Sequence, residues 1–436
     1  MSESKLRRFR SLIAKALRQA LEKPLYTLAM RTYRLGIAVA SLRLPKAKKM
    51  MAGRKETFRR LADKINPNDK NIWVHAASLG EFEQGRPLIE ELRRRNPEYK
   101  IVLSFFSPSG YEVRHNWEGA DCVVYLPFDT PRNARRMINA INPEKVFFVK
   151  YEIWRNMLEE LQKRAVPTYL ISAAFTPKQK FFRRSCRWYS LWLRWFTHIF
   201  VQDERSRQLL EGIGITDVTI AGDTRFDRVT DIMRSTRSIP ELEALKESAG
   251  DAPLLMVGSS WEADEERYMP WLIQAKGRVK AVIAPHEFSP KRLEIMQQKL
   301  TPLNSVLFTE INGDLNKAAA ADVVIMNCFG LLSSAYRYAD IAYVGGGFGA
   351  GIHNINEAAV YGIPVIYGPN NSRFIEAREL AEAGGGFSIN NATEIADILN
   401  AMTADADKRH DSGAKAGEYI KSRLGATNRI LDSLRI

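Results

Sequence analysis

The chain predicts an α/β fold with two Rossmann-like, doubly wound domains. Short apolar runs alternate with amphipathic helical stretches, this alternation occurs twice, and 436 residues are too many for one ordinary core. The first series of candidate strands is Ile72–His75, Ile101–Phe105, Cys122–Tyr125, Val146–Val149, Thr168–Ile171 and His198–Val201. Helical stretches such as Glu83–Arg95 and Pro131–Ala140 lie between them. Each run is rich in Val, Ile, Phe and Leu, as expected for strands covered on both faces. The second series is Leu254–Val257, Lys280–Ile283, Ser305–Phe308, Val323–Met326, Ile341–Val344 and Pro364–Tyr367. Its helices include Asp264–Ala275, Pro290–Lys299 and a stretch beginning near Asn356.

The expected division is a basic segment over 1–60, an N-terminal Rossmann-like domain over 61–222 and a C-terminal one over 223–436. A helical tail, Asp405–Leu431, could pack back across the junction. Two such domains facing each other across a cleft make the GT-B arrangement. The apolar fraction of 45% suits a folded globular protein. Cys122, Cys186 and Cys328 have no C-x-x-C spacing, and the six histidines form no H-E-x-x-H pattern. This argues against a disulfide framework and a zinc site, and no metal site is expected.

Charge is unevenly placed. Residues 1–60 hold 17 Lys and Arg against 3 Asp and Glu, a balance of +14, which is the net charge of the whole chain. The other 376 residues are neutral overall. A basic segment on a neutral body reads as an address for an anionic surface, either membrane or nucleic acid. Leu25 to Leu44 is apolar but broken by Arg31 and Arg34, which suits an amphipathic helix lying in a membrane interface. Lys46, Lys48, Lys49, Arg54 and Lys55 follow and would add attraction to anionic lipid. The alternative is a core helix with a solvated basic face. No cleavable signal peptide is evident, because the charged start is long and no clean apolar region follows it. Phe181-Phe182-Arg183-Arg184, Trp188-Tyr189 and Trp192 to Phe196 mix aromatics with arginines. That stretch reads as an interface patch, a stacking surface for single-stranded nucleic acid, or a buried helix whose arginines reach solvent.

Glu81 follows the apolar run Ile72–His75 and the small residues Ala76, Ala77 and Ser78, at the head of a helix. Ligands of open α/β sheets bind outside the carboxyl ends of the strands, so a carboxylate there is positioned to take a proton from substrate. Glu152 follows the strand Val146–Val149 in the same way. For both, an ordinary helix-start acid favoured by the dipole is the alternative. Arg225, in Gly222-Asp223-Thr224-Arg225-Phe226-Asp227, could meet a phosphate or a developing negative charge, or form a structural ion pair.

In the second half, Val344-Gly345-Gly346-Gly347-Phe348-Gly349-Ala350-Gly351-Ile352-His353 is a strand entering a glycine-rich loop. It does not match strict G-x-G-x-x-G and follows a late strand, so a nucleotide-sugar phosphate is a better ligand than a dinucleotide. Glu357, just beyond it, could accept ribose hydroxyls. Gly258-Ser259-Ser260-Trp261, Pro285-His286-Glu287 and Phe329-Gly330-Leu331 follow other strands, and all four loops should open on one sheet edge.

Together these pieces resemble 3-deoxy-D-manno-octulosonic acid (Kdo) transferases, GT-B enzymes of lipopolysaccharide core synthesis. The resemblance runs from about residue 25 to the C-terminus. It is carried by His75-Ala76-Ala77-Ser78-Leu79-Gly80-Glu81, Tyr125-Leu126-Pro127-Phe128-Asp129, Glu152-Ile153-Trp154-Arg155-Asn156, the Gly222 to Asp227 segment, and Gly345-Gly346 with His353-Asn354-Ile355-Asn356-Glu357. It implies a metal-independent, inverting transfer of Kdo from CMP-Kdo to the 6′-hydroxyl of a tetra-acylated lipid A precursor (lipid IVA). It also implies the cytoplasmic face of a bacterial inner membrane, no cofactor besides the donor, and no nucleic-acid partner. Glu81 would be the general base, and Glu152 and Arg225 would stabilise the transition state. CMP would be held by Ser259 and Ser260, by Pro285 and His286, by Phe329, Gly330 and Leu331, and by Asn354, Ile355, Asn356 and Glu357. The helix N-terminus near Asn354 would help to stabilise the leaving phosphate.

The chain departs from the family pattern at two places. His286-Glu287 stands where the family commonly carries Arg-His, and Ser172-Ala173-Ala174-Phe175-Thr176 stands for Asn-Ala-Arg-Leu-Ser. An arginine is absent from each. The competing readings are another GT-B nucleotide-sugar transferase or a sugar epimerase, and a nucleic-acid-binding protein. The last is opposed by confinement of the charge to the first 60 residues, away from the loop motifs.

Overall fold

The computed structural model describes residues 3–183, 186, 189–234 and 237–436, with the side chains of 3–20, 231, 232 and 234 outside the description. Arg184 and Trp188 of the aromatic stretch lie outside the described residues. The chain forms two compact units, Met1–Asp227 with Gly425–Ile436, and Arg228–Leu424.

The first unit is built on a seven-stranded sheet of β1 (Asn71–Ala76), β2 (Lys100–Phe105), β3 (Cys122–Tyr125), β4 (Pro143–Val149), β5 (Thr168–Ala173), β6 (His198–Val201) and β7 (Val218–Ile220). Its order is β3-β2-β1-β4-β5-β6-β7, with every pair parallel. Helices cover both faces, so β1 is buried throughout. One face of β1 puts Trp73 into a core with Phe148, Leu61 and Leu158. The other puts Ile72, Val74 and Ala76 against Phe82, Leu88 and Leu92 of helix Leu79–Arg95, and Ile430 and Leu431 complete that layer. The last helix, Ala426–Ser433, therefore belongs to the first unit. Arg95 ties it down through Asp432 (2.6 Å) and the Ile436 carbonyl (3.0 Å). The strand order reverses between β1 and β4, and the crevice at such a switch point is where ligands of these sheets sit.

Two helices precede the sheet, Glu3–Ala40 and Pro45–Lys64. The second is part of the core. Arg54 is buried, and its guanidinium donates to the carbonyls of Leu126 (2.9 Å) and Phe106 (2.8 Å) while lying over the Phe106 and Phe128 rings. Burial pushes its pKa down to about 10. Arg54 thus satisfies carbonyls beyond β2 and β3 rather than facing lipid, whereas Lys46, Lys48, Lys49 and Lys55 are exposed. The long helix is pinned to the core by Tyr26, which donates to Asp129 Oδ2 (2.8 Å), and by the Glu22–Arg155 ion pair. Trp192, Leu193 and Phe196 of the aromatic stretch are core residues, and the Trp192 indole donates to Glu22. No helix among the described residues is long and apolar enough to cross a membrane.

The second unit repeats the architecture with β8 (Leu254–Ser260), β9 (Lys280–Pro285), β10 (Ser305–Leu307), β11 (Val323–Ile325), β12 (Ile341–Val344), β13 (Val365–Tyr367) and β14 (Gly386–Ser388). All are parallel, in the order β10-β11-β9-β8-β12-β13-β14. The three-residue edge strands β7 and β14 are additional to the predicted series. Phe308 begins the short helix Phe308–Ile311 instead of ending a strand. The predicted single helical tail is two helices, Ala406–Arg423 and Ala426–Ser433, broken at Gly425 with φ +87°.

Candidate active site

Glu81 and Glu152 come from the two strands that flank the switch point. Glu81 is the third residue of helix Leu79–Arg95, directly beyond β1. The Ala77 N–H donates to its Oε2 at 2.5 Å, which folds the carboxylate back over the strand end. Glu152 lies in the loop after β4, in the turn before helix Arg155–Lys163. That turn starts at Lys150, which is held at φ +63°. A side-chain-bearing residue there costs about 1–2 kcal/mol, and such strain gathers at functional edges. Ser172 in β5 (φ +52°) and Ser259 in β8 (φ +53°) repeat it near the ends of their strands. Asp129 fixes the helix after Glu152 by accepting the N–H groups of Asn156 (2.9 Å) and Met157 (3.0 Å), which explains the Tyr125–Asp129 motif.

The two carboxyl groups interact. Burial first, then the neighbouring Glu152 carboxylate, pushes Glu81 up to about 7, against the pull of the Ala77 N–H and Lys150. A carboxyl poised near neutral pH suits a general base, whose best pKa lies near the working pH. Glu152 is held by other means. The Trp154 indole donates to its Oε2 at 2.7 Å, and His75 Nε2 lies 3.2 Å from the same oxygen.

Arg225 is anchored by Asp223, which accepts from Nε (2.9 Å), Nη2 (2.7 Å) and the Arg225 backbone N–H (2.9 Å). Gln84 donates to both oxygens of Asp223, at 3.1 and 3.2 Å. Despite burial, Arg225 holds the Asp223 carboxyl below the usual range. The guanidinium is about one-third exposed, so it is oriented yet reachable.

In the second unit the predicted loops gather at the carboxyl edge of the sheet. Ser259 and Ser260 end β8, Pro285 ends β9 opposite Ser260, and His286 donates its N–H to the Ser260 carbonyl (2.8 Å). The Ser260 hydroxyl is buried against the Tyr268 hydroxyl at 3.0 Å. Phe329, Gly330 and Leu331 follow β11, with Phe329 86% exposed and its ring 4.6 Å from Phe288. The glycine loop follows β12. A Cβ on Gly345 would sit 2.3 Å from the Ser259 carbonyl oxygen, and Gly346 has φ +91°. Asp264 ties the loop down, accepting the Gly346 N–H (2.9 Å) and the Tyr343 hydroxyl (2.8 Å).

Beyond the loop, Asn354 donates to Glu357 (3.0 Å) and accepts the Asn356 N–H (3.2 Å). Ile355 and Asn356 are buried. Burial raises Glu357, opposed by Asn354 and Arg228. The helix expected here is a single turn, Asn356–Ala359. Its few peptide dipoles do not sum to the field expected of a helix N-terminus.

The family model for 3-Deoxy-D-manno-octulosonic-acid transferase (kdotransferase) matches residues 52–228. The 3-deoxy-D-manno-octulosonic acid transferase of Haemophilus influenzae is 24% identical over 410 residues, spanning 92% of this chain and 94% of its own. That of Bordetella pertussis is 26% identical over 394 residues, spanning 83% and 86%. Over most of its length the chain is similar to Kdo transferases. It is a glycosyltransferase of lipopolysaccharide core synthesis. Its fold is GT-B-like. The UDP-GlcNAc 2-epimerase of Neisseria meningitidis superposes with a TM-score of 0.57 at 13% identity, covering 84% of this chain and 99% of that one.

In each unit of this Kdo transferase, residues that the sequence did not assign a part lie beside the predicted ones. His75 and Trp154 sit in quoted motifs, yet only the fold brings them to Glu152. Trp261 stacks on His286 with ring centres 4.1 Å apart and donates from its indole to His353 Nε2 (3.1 Å). Burial, then His286, lowers His353. At the second departure Phe175 is buried among Phe181, Phe182 and Tyr151, and the Tyr151 hydroxyl donates to the Ala174 carbonyl. An apolar cluster occupies the segment from which the family arginine is absent.

Proposed function

We propose that the protein transfers Kdo from CMP-Kdo to the 6′-hydroxyl of the lipid A precursor lipid IVA, with Glu81 as general base. The Glu81 carboxyl with its pKa near 7, partly buried beyond β1 and beside Glu152, carries this reading. Glu81 removes the hydroxyl proton as that oxygen attacks the anomeric carbon of Kdo, and inversion follows from the single displacement. Arg225 meets the charge growing on the leaving CMP phosphate, and Glu152 stabilises the charge developing on the sugar. CMP is assigned to Ser259, Ser260, Pro285, His286, Phe329, Gly330, Leu331, Asn354, Ile355, Asn356 and Glu357. Incubation with CMP-Kdo and lipid IVA, followed by mass spectrometry, should give a product heavier by one or more Kdo units. An unchanged acceptor would sink the reading.

A base must be ionised to act, so turnover should rise with pH through about 7 and then level off. Glu152→Gln removes the like charge and should move this acidic limb to lower pH. A limb at the ordinary carboxylate pKa in the wild type would show that Glu81 is not the titrating base.

We further propose that the enzyme works on the cytoplasmic face of the bacterial inner membrane, with the long first helix lying on the lipid. Leu21, Leu25, Leu28, Leu35, Val39 and Leu42 are 54% to 84% exposed. The five on the helix, Leu21 to Val39, are spaced by three, four and seven residues and form one stripe, and Leu42 follows in the turn after it. Tyr26, Thr27 and Tyr33 point the other way, into the unit. Arg31 is exposed beside the stripe, Arg34 and Arg43 are also exposed, and all three suit anionic head groups. Each leucine withdrawn from water is worth about 1.5–3 kcal/mol. Leu25→Glu with Leu28→Glu should therefore lower co-flotation with anionic vesicles by about a hundredfold or more. Unchanged flotation would remove the stripe from the account.

A further inference from the structure

We propose that His75 is a positioning residue of the transfer reaction, fixing the Glu152 carboxylate through a buried chain that runs from Trp73 through Ser104. The proposal rests on Glu81 as the base. The chain crosses neighbouring strands. Trp73 and His75 are two residues apart on β1, so they share a face, and Ser104 on β2 is the register partner of His75. The Trp73 indole donates to Ser104 Oγ at 2.7 Å. His75 Nδ1 is 2.8 Å from the same Oγ and 3.1 Å from the Ser104 carbonyl oxygen. Its Nε2 is 3.2 Å from Glu152 Oε2, and the ring is fully buried.

The proposal places the ring hydrogen on Nε2. An indole nitrogen only donates and a carboxylate only accepts. Ser104 Oγ already accepts from Trp73, so its own hydrogen is free to go to Nδ1. Nε2 then carries a hydrogen and donates to Glu152. The Trp154 indole lies 3.0 Å from Nε2 but only 2.7 Å from Glu152 Oε2, so its single hydrogen goes to the carboxylate. The reverse arrangement would set the Nε2 lone pair against the charged Glu152 oxygen, whereas this one sets the Nδ1 lone pair near the neutral Ser104 carbonyl and gives it the Ser104 hydroxyl hydrogen. His75 and Trp154 together therefore aim Glu152, in the way that outer partners orient a functional side chain.

This has a consequence for Glu81. The groups that bear on Glu81 are Glu152, Lys150 and the Ala77 and Ser78 N–H donors, and Tyr151 lies within its field. Of these, only Glu152 depends on His75. Without the imidazole the Glu152 carboxylate loses one of its two donors and can turn away, which relieves the like-charge repulsion on Glu81.

The test compares pH–rate profiles of His75→Leu, His75→Gln, Glu152→Gln and Glu81→Gln, with thermal unfolding as the control for folding. His75→Leu should lower kcat by about tenfold or more with little change in KM for the donor, and shift the acidic limb downward in the direction of Glu152→Gln. His75→Gln retains a side-chain N–H donor and should recover part of both effects. The His75→Leu/Glu152→Gln double variant should be no worse than the poorer single variant. An acidic limb left in place by His75→Leu, or additive losses in the double variant, would overturn the proposal. If Glu81→Gln keeps turnover, the general-base reading fails instead, and the two failures are told apart.

Discussion

Glu81→Gln is expected to lower turnover by about 10²–10⁴-fold, the usual worth of a positioned general base. Donor binding should be nearly unchanged, because the residues assigned to CMP lie in the second unit. Glutamine keeps an oxygen for the Ala77 N–H, so the fold should persist. The variant should also be more stable than the wild type at alkaline pH. Glu81 rises from an ordinary 4.5 to about 7 in the folded protein. The folded state therefore holds a proton that the unfolded chain has already released between those values. Stability falls as pH rises across that window, and the penalty is complete above it. Relative to the wild type, the variant should gain about 3 kcal/mol at about pH 8, with the gain fading toward about pH 5. Calorimetry at the two pH values checks this. A variant with lost activity and an unchanged pH dependence of stability would mean that Glu81 is not strained by ionisation.

Gly345→Ala is expected to damage the glycine loop of the second unit. The new methyl would lie 2.3 Å from the Ser259 carbonyl oxygen and 2.9 Å from Asp264 Oδ2. A backbone carbonyl cannot rotate away as a side chain can, and Ser259 is already held at positive φ. Overpacking of this kind typically costs about 1–3 kcal/mol. The displaced Asp264 would also release the Gly346 N–H and the Tyr343 hydroxyl. A lower melting temperature and CMP binding weakened by about tenfold or more should appear together. Normal CMP affinity in a folded Gly345→Ala protein would remove the glycine loop from the donor site.

Much of this was readable in the chain, for identifiable reasons. Strands buried on both faces are continuous apolar runs, so all twelve predicted strands have counterparts. The two missing strands, β7 and β14, have three residues each and lie at sheet edges, where partial exposure weakens the pattern. Glu81 and Glu152 were visible separately because each follows a strand. Their mutual influence was not, since β1 and β4 are neighbours only through a non-sequential sheet order. His75 was hidden for a related reason. One polar residue in an apolar strand reads as a satisfied core group, and its partner Ser104 lies 29 residues away. The Asn356 helix was overestimated because caps and acids mark where a helix starts, not how far it continues.

Asp129 bears on how a shortened version of this enzyme should be prepared. One of its oxygens takes both the Tyr26 phenol and the Asn156 N–H, and the other takes the Met157 N–H. Trimming away the long helix would strip the phenol from a fully buried carboxyl. That carboxyl caps the helix directly after the Glu152 turn, so the loss would reach the active-site edge. Crystallisation trials are better served by keeping residues 21–44 and exchanging the outward leucines for polar residues, which leaves the Tyr26 anchor intact.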